Sequence, residues 1–378
     1  MSGISKPVIT AVAEPRPDGE KITRAVIAFP GKIPNVDDIE VIGRTVVGRE
    51  ADGSAVTLRL SEEDEAAEVL PQPQGVPDGT PPWDLPERKR RPIEVEVRIP
   101  GCPETLRSTG ARELVIEDFV QSRYKSFPYN LYTPKHMEPE KKYPLVMFIP
   151  DASVNGGDAL AALSQGAGAT VWAEPGEQEK RPCFVLAIQV PKSVRLTMPG
   201  FQASPALEEV KELVDKIIAE NRIDPNRVYA TGQSQGCMAT CELNCRYPDF
   251  FAASLLVAGQ WDPEKVGRLT GAKFFIGLSE GGPREFPGMN AITEALAANG
   301  VEITRVRMNF RDGFAVNDDK LRAVMVGAQV VYATFEEATA FPENDVRVQI
   351  PIAHHSRGWE LTYQLEAARE WLFAQTRR

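Results

Sequence analysis

The pattern of hydrophobic positions changes at about residue 115. Before that point, apolar and polar residues alternate with a period of two at residues 56–60 and 93–99, which is typical of half-buried β-strands. Similar segments at residues 22–29 and 39–47 are separated by turns that contain Gly, Pro or Asp. We therefore expect residues 1–114 to form a small all-β sandwich.

After residue 115, continuous apolar runs alternate with helix-like segments, and such runs are typical of a parallel sheet that is covered on both faces. The clearest helix is expected at residues 206–221, with Ser204 as its N-cap and Pro205 at its first position. A last helix is expected at residues 360–376. The pattern predicts a doubly wound α/β domain over residues 115–378. The apolar runs are residues 144–149, 183–189, 227–231, 253–258 and 272–278.

A proline-rich and charged segment, residues 71–92, interrupts the β-like part of the chain. We expect it to be a hairpin extension or a mobile loop. It contains a basic run at residues 88–91, which we interpret as a solvated turn without a partner.

Composition narrows the possible partners and compartments. The chain has 378 residues, with 53 acidic and 43 basic ones, and this excess of negative charge argues against nucleic acid or an anionic membrane as a general partner. No apolar stretch approaches the roughly 20 residues of a membrane span. Residues 1–10 show no signal peptide, so we expect a cytoplasmic protein, although a secreted one whose signal had been removed would read the same.

The five cysteines form an odd set, and Cys237, Cys241 and Cys245 fall on one face of a predicted helix. We interpret them as small apolar packing residues in a reducing compartment rather than as a disulfide framework.

One motif carries chemistry: Gly232, Gln233, Ser234, Gln235 and Gly236 match the G-x-S-x-G nucleophile elbow. A β-branched and aromatic segment, residues 227–231, leads into it, and a helix-like segment follows at residues 237–245. Strand, sharp turn and helix thus occur in the order that such an elbow needs, and the two glycines let strand and helix approach closely. We predict Ser234 as a nucleophile.

A serine nucleophile needs a base, and the chain has three histidines. His136 precedes the serine, whereas the base of this fold follows it in the order Ser, Asp or Glu, His. The base is therefore His354 or His355, in a predicted loop between a strand-like segment at residues 346–350 and the last helix. A metal site at this pair would need a third ligand, and no nearby Cys or His supplies one.

The sequence leaves two candidates for the triad acid and two for the second oxyanion donor. Glu280 and Asp262 each follow a predicted strand after the nucleophile, and chain order alone does not choose between them. The backbone N–H of Gln235 is the expected first oxyanion donor. The second is Asp151 or Ala152, in the loop after the strand at residues 144–149.

Several stretches resemble α/β-hydrolase esterases similar to poly(3-hydroxybutyrate) depolymerases and feruloyl esterases that carry an N-terminal immunoglobulin-like domain. The resemblance covers most of the chain. It implies that His355 rather than His354 is the base, because Trp359 and Tyr363 follow it as in the family. It also implies that the first domain is immunoglobulin-like and covers the active site or mediates homo-oligomers. The stretches are residues 223–229, 258–263, 279–281 and 371–375.

Two positions depart from this family. Gly282 stands where relatives carry the triad aspartate, and Pro150 with Asp151 stands where relatives often have His-Gly in the oxyanion loop. We expect Glu280, two residues before the missing aspartate, to take over as the acid.

The leading hypothesis is a serine carboxylester hydrolase with Ser234, His355 and Glu280 as its triad, with Gln235 and Ala152 as oxyanion donors, and without a metal or organic cofactor. Trp261 is a candidate wall of the substrate pocket, and a buried core position is the alternative for it. A non-catalytic binding protein and a serine peptidase are the alternative functions.

Overall fold

The structure is a computed structural model that describes residues 6–77, 80, 81 and 83–377. The first five residues lie outside the described residues. They are part of the expected β-domain and of residues 1–10, in which no signal peptide was found. Residues 78, 79 and 82 of the proline-rich segment and the last residue, 378, also lie outside the described residues.

The N-terminal part consists of two sheets. Its strands are β1 (Val8–Arg16), β2 (Gly19–Ala28), β3 (Glu40–Val41), β4 (Val46–Asp52), β5 (Ala55–Leu60), β6 (Glu96–Arg98), β7 (Leu106–Arg107) and β8 (Gly110–Glu113). A five-stranded sheet has the order β4-β5-β2-β1-β8, antiparallel except for the parallel pair β1 and β8, and an antiparallel three-stranded sheet has the order β3-β6-β7. The expected strand at residues 39–47 is thus split between β3 and β4.

One hydrophobic cluster joins these two sheets. Ile27 and Leu58 of the larger sheet pack in it with Val41 and Val97 of the smaller sheet, and all four side chains are buried. The alternation of apolar and polar residues therefore produces a two-sheet β-domain, because each strand places every second side chain in this core. Its immunoglobulin-like character and the boundary at residues 114 and 115 stay predictions.

The proline-rich segment forms no hairpin in its described part, and it packs against its surroundings. Arg90 pairs with the buried Glu20 of β2 and with Glu113 of β8. Arg88 donates to the carbonyl oxygens of Leu70 and Pro71. The interpretation of this basic run as a solvated turn was wrong for both arginines, because their guanidinium groups satisfy carboxylates and carbonyls beneath the segment.

The rest of the chain is built on a nine-stranded sheet. Its strands are β9 (Val120–Tyr124), β10 (Phe127–Tyr132), β11 (Tyr143–Ile149), β12 (Phe184–Ile188), β15 (Ile223–Gln233), β16 (Ala253–Val257), β17 (Phe274–Ser279), β18 (Ile303–Met308) and β19 (Val330–Phe335). They lie in the order β18-β19-β17-β16-β15-β11-β12-β10-β9. Strands from β18 to β12 are parallel, and β10 pairs antiparallel with both β12 and β9. A separate two-stranded ribbon consists of β13 (Thr197–Met198) and β14 (Gln202–Ala203).

Helices cover both faces of this sheet, as the continuous apolar strands predict. Val146 and Phe148 of β11 join the core on one face, and Leu145 and Met147 join the core on the other. The α-helices are α1 (Ala161–Ser164), α2 (Ala167–Thr170), α3 (Pro175–Lys180), α4 (Ala206–Glu220), α5 (Gln235–Arg246), α6 (Pro263–Val266), α7 (Glu285–Ala298), α8 (Phe314–Val324), α9 (Pro351–Thr362) and α10 (Glu366–Phe373). In the described part of the chain, none of them combines the length and the apolar character needed to cross a membrane.

Two helix predictions need correction. Pro205, not Ser204, is the N-cap residue of α4, although the Ser204 hydroxyl accepts from the N–H of Ala206. The single last helix is two helices, α9 and α10, and α9 begins at Pro351. The strand-like segment before it is a 3₁₀ helix, Val346–Gln349. Both candidate histidines therefore lie on a helix, which fixes their side chains more firmly than a loop would.

Candidate active site

The elbow has the geometry that its sequence predicts. Ser234 lies between β15 and α5 with φ 53° and ψ −116°, a left-handed backbone that a residue with a side chain rarely adopts. Its N–H is bound to the carbonyl oxygen of Val257 on the neighbouring strand at 3.1 Å. The turn thus holds the serine at the carboxyl end of the central strand and at the N-terminus of α5, where negative charge is favoured.

Both glycines of the motif are required by close backbone contacts. A Cβ atom on Gly236 would lie 1.9 Å from the carbonyl oxygen of Ile149 at the end of β11, and one on Gly232 would lie 2.5 Å from the carbonyl carbon of Gly236. No side chain fits at either position without a shift of backbone atoms. The glycines therefore bring Ser234 next to the loop that follows β11.

His355 of α9 contacts the serine. Its Nε2 lies 2.9 Å from the hydroxyl oxygen of Ser234, a hydrogen-bond distance for proton transfer. The ring of Trp359, one helical turn later, packs edge-on against the imidazole with the ring centroids 5.1 Å apart. His355 is the histidine that the resemblance to esterases selects.

The other ring nitrogen of His355 faces Glu285, a residue that the sequence pattern did not select. Its Oε1 lies 2.8 Å from His355 Nδ1, and the residue is only 1% exposed. Glu285 is the first residue of α7, so the helix N-terminus also favours its negative charge. Ser234, His355 and Glu285 form a continuous line of hydrogen bonds.

Gly282 makes room for this carboxylate. A Cβ atom at position 282 would lie 2.1 Å from Oε1 and 2.4 Å from the carboxyl carbon of Glu285. The carboxylate of Glu285, three residues further along the chain, thus fills the space that the Cβ atom of an aspartate at position 282 would need. The sequence feature that could have identified this acid is a Glu shortly after two glycines and a proline, at the start of a helix.

Neither predicted acid contacts His355. Glu280 binds Arg307 and the hydroxyl of Thr334, with the Thr334 oxygen 2.9 Å from its Oε1. Asp262 caps α6 by accepting from the N–H of Glu264 at 3.0 Å. Both carboxylates have structural partners of their own, and the expectation that either orients His355 does not fit this geometry.

His354 points away from the serine. It is buried, with Nδ1 2.9 Å from the hydroxyl of Ser279 and Nε2 3.0 Å from the carbonyl oxygen of Val348. Gly281 leaves space for its ring, since a Cβ there would lie 2.4 Å from the imidazole. His354 thus connects α9 to the end of β17 and to the preceding 3₁₀ helix.

The loop after β11 lies beside the elbow, where the second oxyanion donor was expected. Ala152 begins a 3₁₀ helix, and Asp151 caps it by accepting from the N–H of Ser153 at 2.7 Å. Gln235 begins α5. The N–H of a first helical residue has no partner within its own helix, so Ala152 and Gln235 each offer such a group. The cap occupies the side chain of Asp151 and not its backbone N–H, so the choice between Asp151 and Ala152 as second donor stays a prediction.

Trp261 does not line an open pocket. The residue is fully buried, and its indole nitrogen donates to Glu242 at 3.0 Å. It packs in the core beside α5 and α7 with Leu256 and Met289. The alternative of a core tryptophan therefore describes this residue.

Among the residues that the structure describes, no three His, Cys, Asp or Glu side chains are grouped so that they could hold a metal ion. The groups of this region that could take part in a reaction are the hydrogen-bonded side chains of Ser234, His355 and Glu285 and the N-termini of the helices that begin at Ala152 and Gln235.

Comparisons with known proteins agree with this architecture. No family model matches the chain. Over 50 residues it is 44% identical to poly(3-hydroxyalkanoate) depolymerase C of Paucimonas lemoignei, and over 159 residues it is 30% identical to the putative esterase NocK of Nocardia uniformis subsp. tsuyamanensis. These matches cover 13% and 39% of this chain and 12% and 46% of the relatives, so the chain spans less than half the length of either curated relative.

A solved structure matches over nearly the whole length. The crystal structure of a thermostable esterase superimposes with a TM-score of 0.77 at 25% identity and covers 98% of this chain and 100% of its own. The nine-stranded sheet, the elbow and this likeness define an α/β-hydrolase. Within that class, the chain is similar to proteins that are named as esterases.

Proposed function

We propose that this protein is a serine carboxylester hydrolase that works through an acyl-enzyme on Ser234. The observation that carries the proposal is the line from the Ser234 hydroxyl to His355 Nε2 at 2.9 Å and from His355 Nδ1 to Glu285 at 2.8 Å. Such a line gives each group one role, as nucleophile, base and orienting acid.

The reaction would follow from these contacts. The Ser234 oxygen attacks the ester carbonyl while His355 Nε2 takes its proton, and the N–H groups of Gln235 and Ala152 donate to the oxygen that becomes negative. When the alcohol leaves, it takes the proton from Nε2. Water then attacks the acyl carbonyl while His355 Nε2 takes its proton. The bond to the Ser234 oxygen breaks, the carboxylic acid leaves, and Nε2 returns the proton to Ser234.

Glu285 would act by holding the imidazole. Its carboxylate accepts a hydrogen bond from the Nδ1–H group, which leaves Nε2 without a proton and able to accept from Ser234, and its negative charge stabilises the imidazolium that forms after proton transfer. Glu285 places a carboxylate against His355 although Gly282 stands where relatives carry the triad aspartate. The glycine is therefore no longer a reason to favour a protein without turnover.

The likeness to a thermostable esterase and to the putative esterase supports an ester substrate. The match to a polyester depolymerase is confined to 50 residues, so we propose the ester bond as the target and assign no particular acid or alcohol. Peptidase activity has no observation in its favour.

The test is hydrolysis of p-nitrophenyl acetate and butyrate by the purified chain, by Ser234→Ala and by His355→Ala. We expect both variants to lose on the order of 10³-fold or more in kcat. A fluorophosphonate should label Ser234 in the unchanged protein and leave Ser234→Ala unlabelled, and matched p-nitroanilides would detect a peptidase. Equal rates for all three proteins would contradict the proposal.

A further inference from the structure

The loop that would supply one oxyanion donor is held from two sides. From the hydrolase side, the Gln235 and Asn155 side chains exchange hydrogen bonds at 3.2 and 3.3 Å. The N–H of Gly156 binds the carbonyl oxygen of Val190 at 2.9 Å. We call residues 150–157 the oxyanion loop.

The second side is formed by residues 83–88 of the proline-rich segment, which we call the strap. The Glu87 carboxylate accepts from the N–H of Gly157, at the end of the oxyanion loop. At its other end the strap is fixed to the hydrolase: the Arg195 guanidinium lies 5.3 Å from the Trp83 ring centroid, and Lys192 donates to the carbonyl oxygen of Leu85.

Two further contacts connect the same loop to the N-terminal part of the chain. Val154 is buried in a small cluster with Leu70, which directly precedes the proline-rich segment. Arg88 is partly buried and bound to the Leu70 carbonyl oxygen. Burial lowers the pKa of Arg88, and the negative charge of Asp151 in the oxyanion loop opposes this effect. Hydrogen bonding, apolar packing and charge thus all act on the same short loop.

Gly156 shows how closely the strap approaches. A Cβ atom on this residue would lie 2.5 Å from Glu87 Oε1 and 2.7 Å from its carboxyl carbon. These atoms are the flexible end of an exposed side chain, so an alanine at position 156 would displace Glu87 rather than the loop backbone. The contact between strap and loop can therefore be broken from either partner.

We propose that Glu87 is a positioning residue for the hydrolysis reaction: through the N–H of Gly157 it holds the oxyanion loop so that the Ala152 N–H is aligned with the reacting carbonyl. This inference rests on the proposed function and extends the active site into the N-terminal part of the chain. A small misplacement of such a donor costs turnover more than substrate binding, because the oxyanion develops in the transition state.

The experiment compares Glu87→Ala, Gly156→Ala and the double variant with two controls. Glu87→Gln keeps an acceptor oxygen for Gly157, and Glu63→Ala removes an exposed carboxylate elsewhere on the same β-domain. We expect each of the first two to lower kcat about tenfold, the size of one charge-assisted hydrogen bond, with KM within about twofold. The double variant should lose no more than either single one. Glu87→Gln should lose no more than about threefold, because a neutral acceptor keeps roughly half the strength of a charge-assisted hydrogen bond, and Glu63→Ala should stay within about twofold of the unchanged protein.

A second readout separates positioning from a general loss of structure. Phenylboronic acid forms a tetrahedral adduct with an active serine, so its inhibition constant should weaken in Glu87→Ala by the same factor as kcat, while the melting temperature and the fraction titrated by a fluorophosphonate stay unchanged. Unchanged kcat in Glu87→Ala and Gly156→Ala, a loss confined to KM or to the titrated fraction, or additive losses would overturn the inference and leave the proposed function standing. Equal rates for Ser234→Ala and the unchanged protein would overturn both.

Discussion

Neutralising Glu285 is the sharpest test of the rearranged site. In Glu285→Gln the side-chain amide can donate to His355 Nδ1, which favours the tautomer with the proton on Nε2, and that nitrogen then cannot accept from Ser234. The change keeps the size of the side chain, removes its charge and replaces one of its two acceptor oxygens by an NH₂ donor. We therefore expect a folded protein with little turnover.

The magnitude can be worked out in two ways. A carboxylate 2.8 Å from a charged imidazole contributes about 6 kcal/mol at an effective dielectric constant of about 20. Neutralising the acid of a serine triad lowers kcat by about 10⁴, which corresponds to about 5.4 kcal/mol. The two estimates agree, so kcat for p-nitrophenyl butyrate should fall by about 10⁴ in Glu285→Gln.

Glu280→Gln and Asp262→Asn are the matched controls, since both carboxylates are occupied by structural partners. Each should keep kcat within about threefold of the unchanged protein. A Glu285→Gln protein that retains more than a tenth of the turnover, together with a large loss in Glu280→Gln, would refute the reasoning.

The close contact between Gly282 and Glu285 suggests a second experiment, in which the carboxylate is moved from position 285 to position 282. Gly282→Asp in a Glu285→Ala background would place a carboxylate in the same space from a different backbone position. We expect at least tenfold recovery of kcat over Glu285→Ala alone.

Three further predictions concern packing and reactivity. Gly236→Ala would put a Cβ atom 1.9 Å from the carbonyl oxygen of Ile149, so urea unfolding should show a loss of about 3 kcal/mol in the free energy of unfolding or no folded protein; an unchanged midpoint would contradict this. Trp261→Phe leaves Glu242 without its indole donor, so the free energy of unfolding should fall by about 1–3 kcal/mol while KM stays constant, and a changed KM would restore the pocket interpretation. Burial raises the pKa of Cys245 to about 12, and only about one thiol in 10⁴ is then ionised at pH 8; mass spectrometry should find it unmodified after brief treatment of the folded protein with iodoacetamide.

The sequence predicts the hydrolase fold well because each parallel strand is a continuous apolar run, and strands buried on both faces of a sheet are the usual source of such runs. The elbow motif and chain order limit the partner of Ser234 to His354 or His355, and the resemblance to esterases selects His355, which is the histidine that contacts Ser234. The helix at α9 was missed because the apolar residues of segment 346–350 resemble a strand, although Pro351 is a common first helical residue.

The acid could not be predicted in the same way. Carboxylates are frequent after strands, and chain order gives no weight to Glu285, which lies three positions beyond Gly282, the position where relatives carry the aspartate. What selects Glu285 is the space left by Gly282 together with the direction in which α7 begins, and both are properties of the folded backbone. The strap was missed for a related reason: Gly157 lies 70 residues beyond its partner Glu87 and Lys192 lies 107 residues beyond its partner Leu85, and the composition of the strap suggested a mobile loop.

The left-handed backbone at Ser234 sets a limit on how robust this protein can become. A residue with a side chain in that conformation costs on the order of 1–3 kcal/mol, a cost from which glycine alone would be exempt. Glycine has no hydroxyl, so heat resistance and turnover compete for this one position. Selection or engineering for higher temperature must therefore act on the surrounding scaffold, because replacing this strained serine would remove the proposed nucleophile.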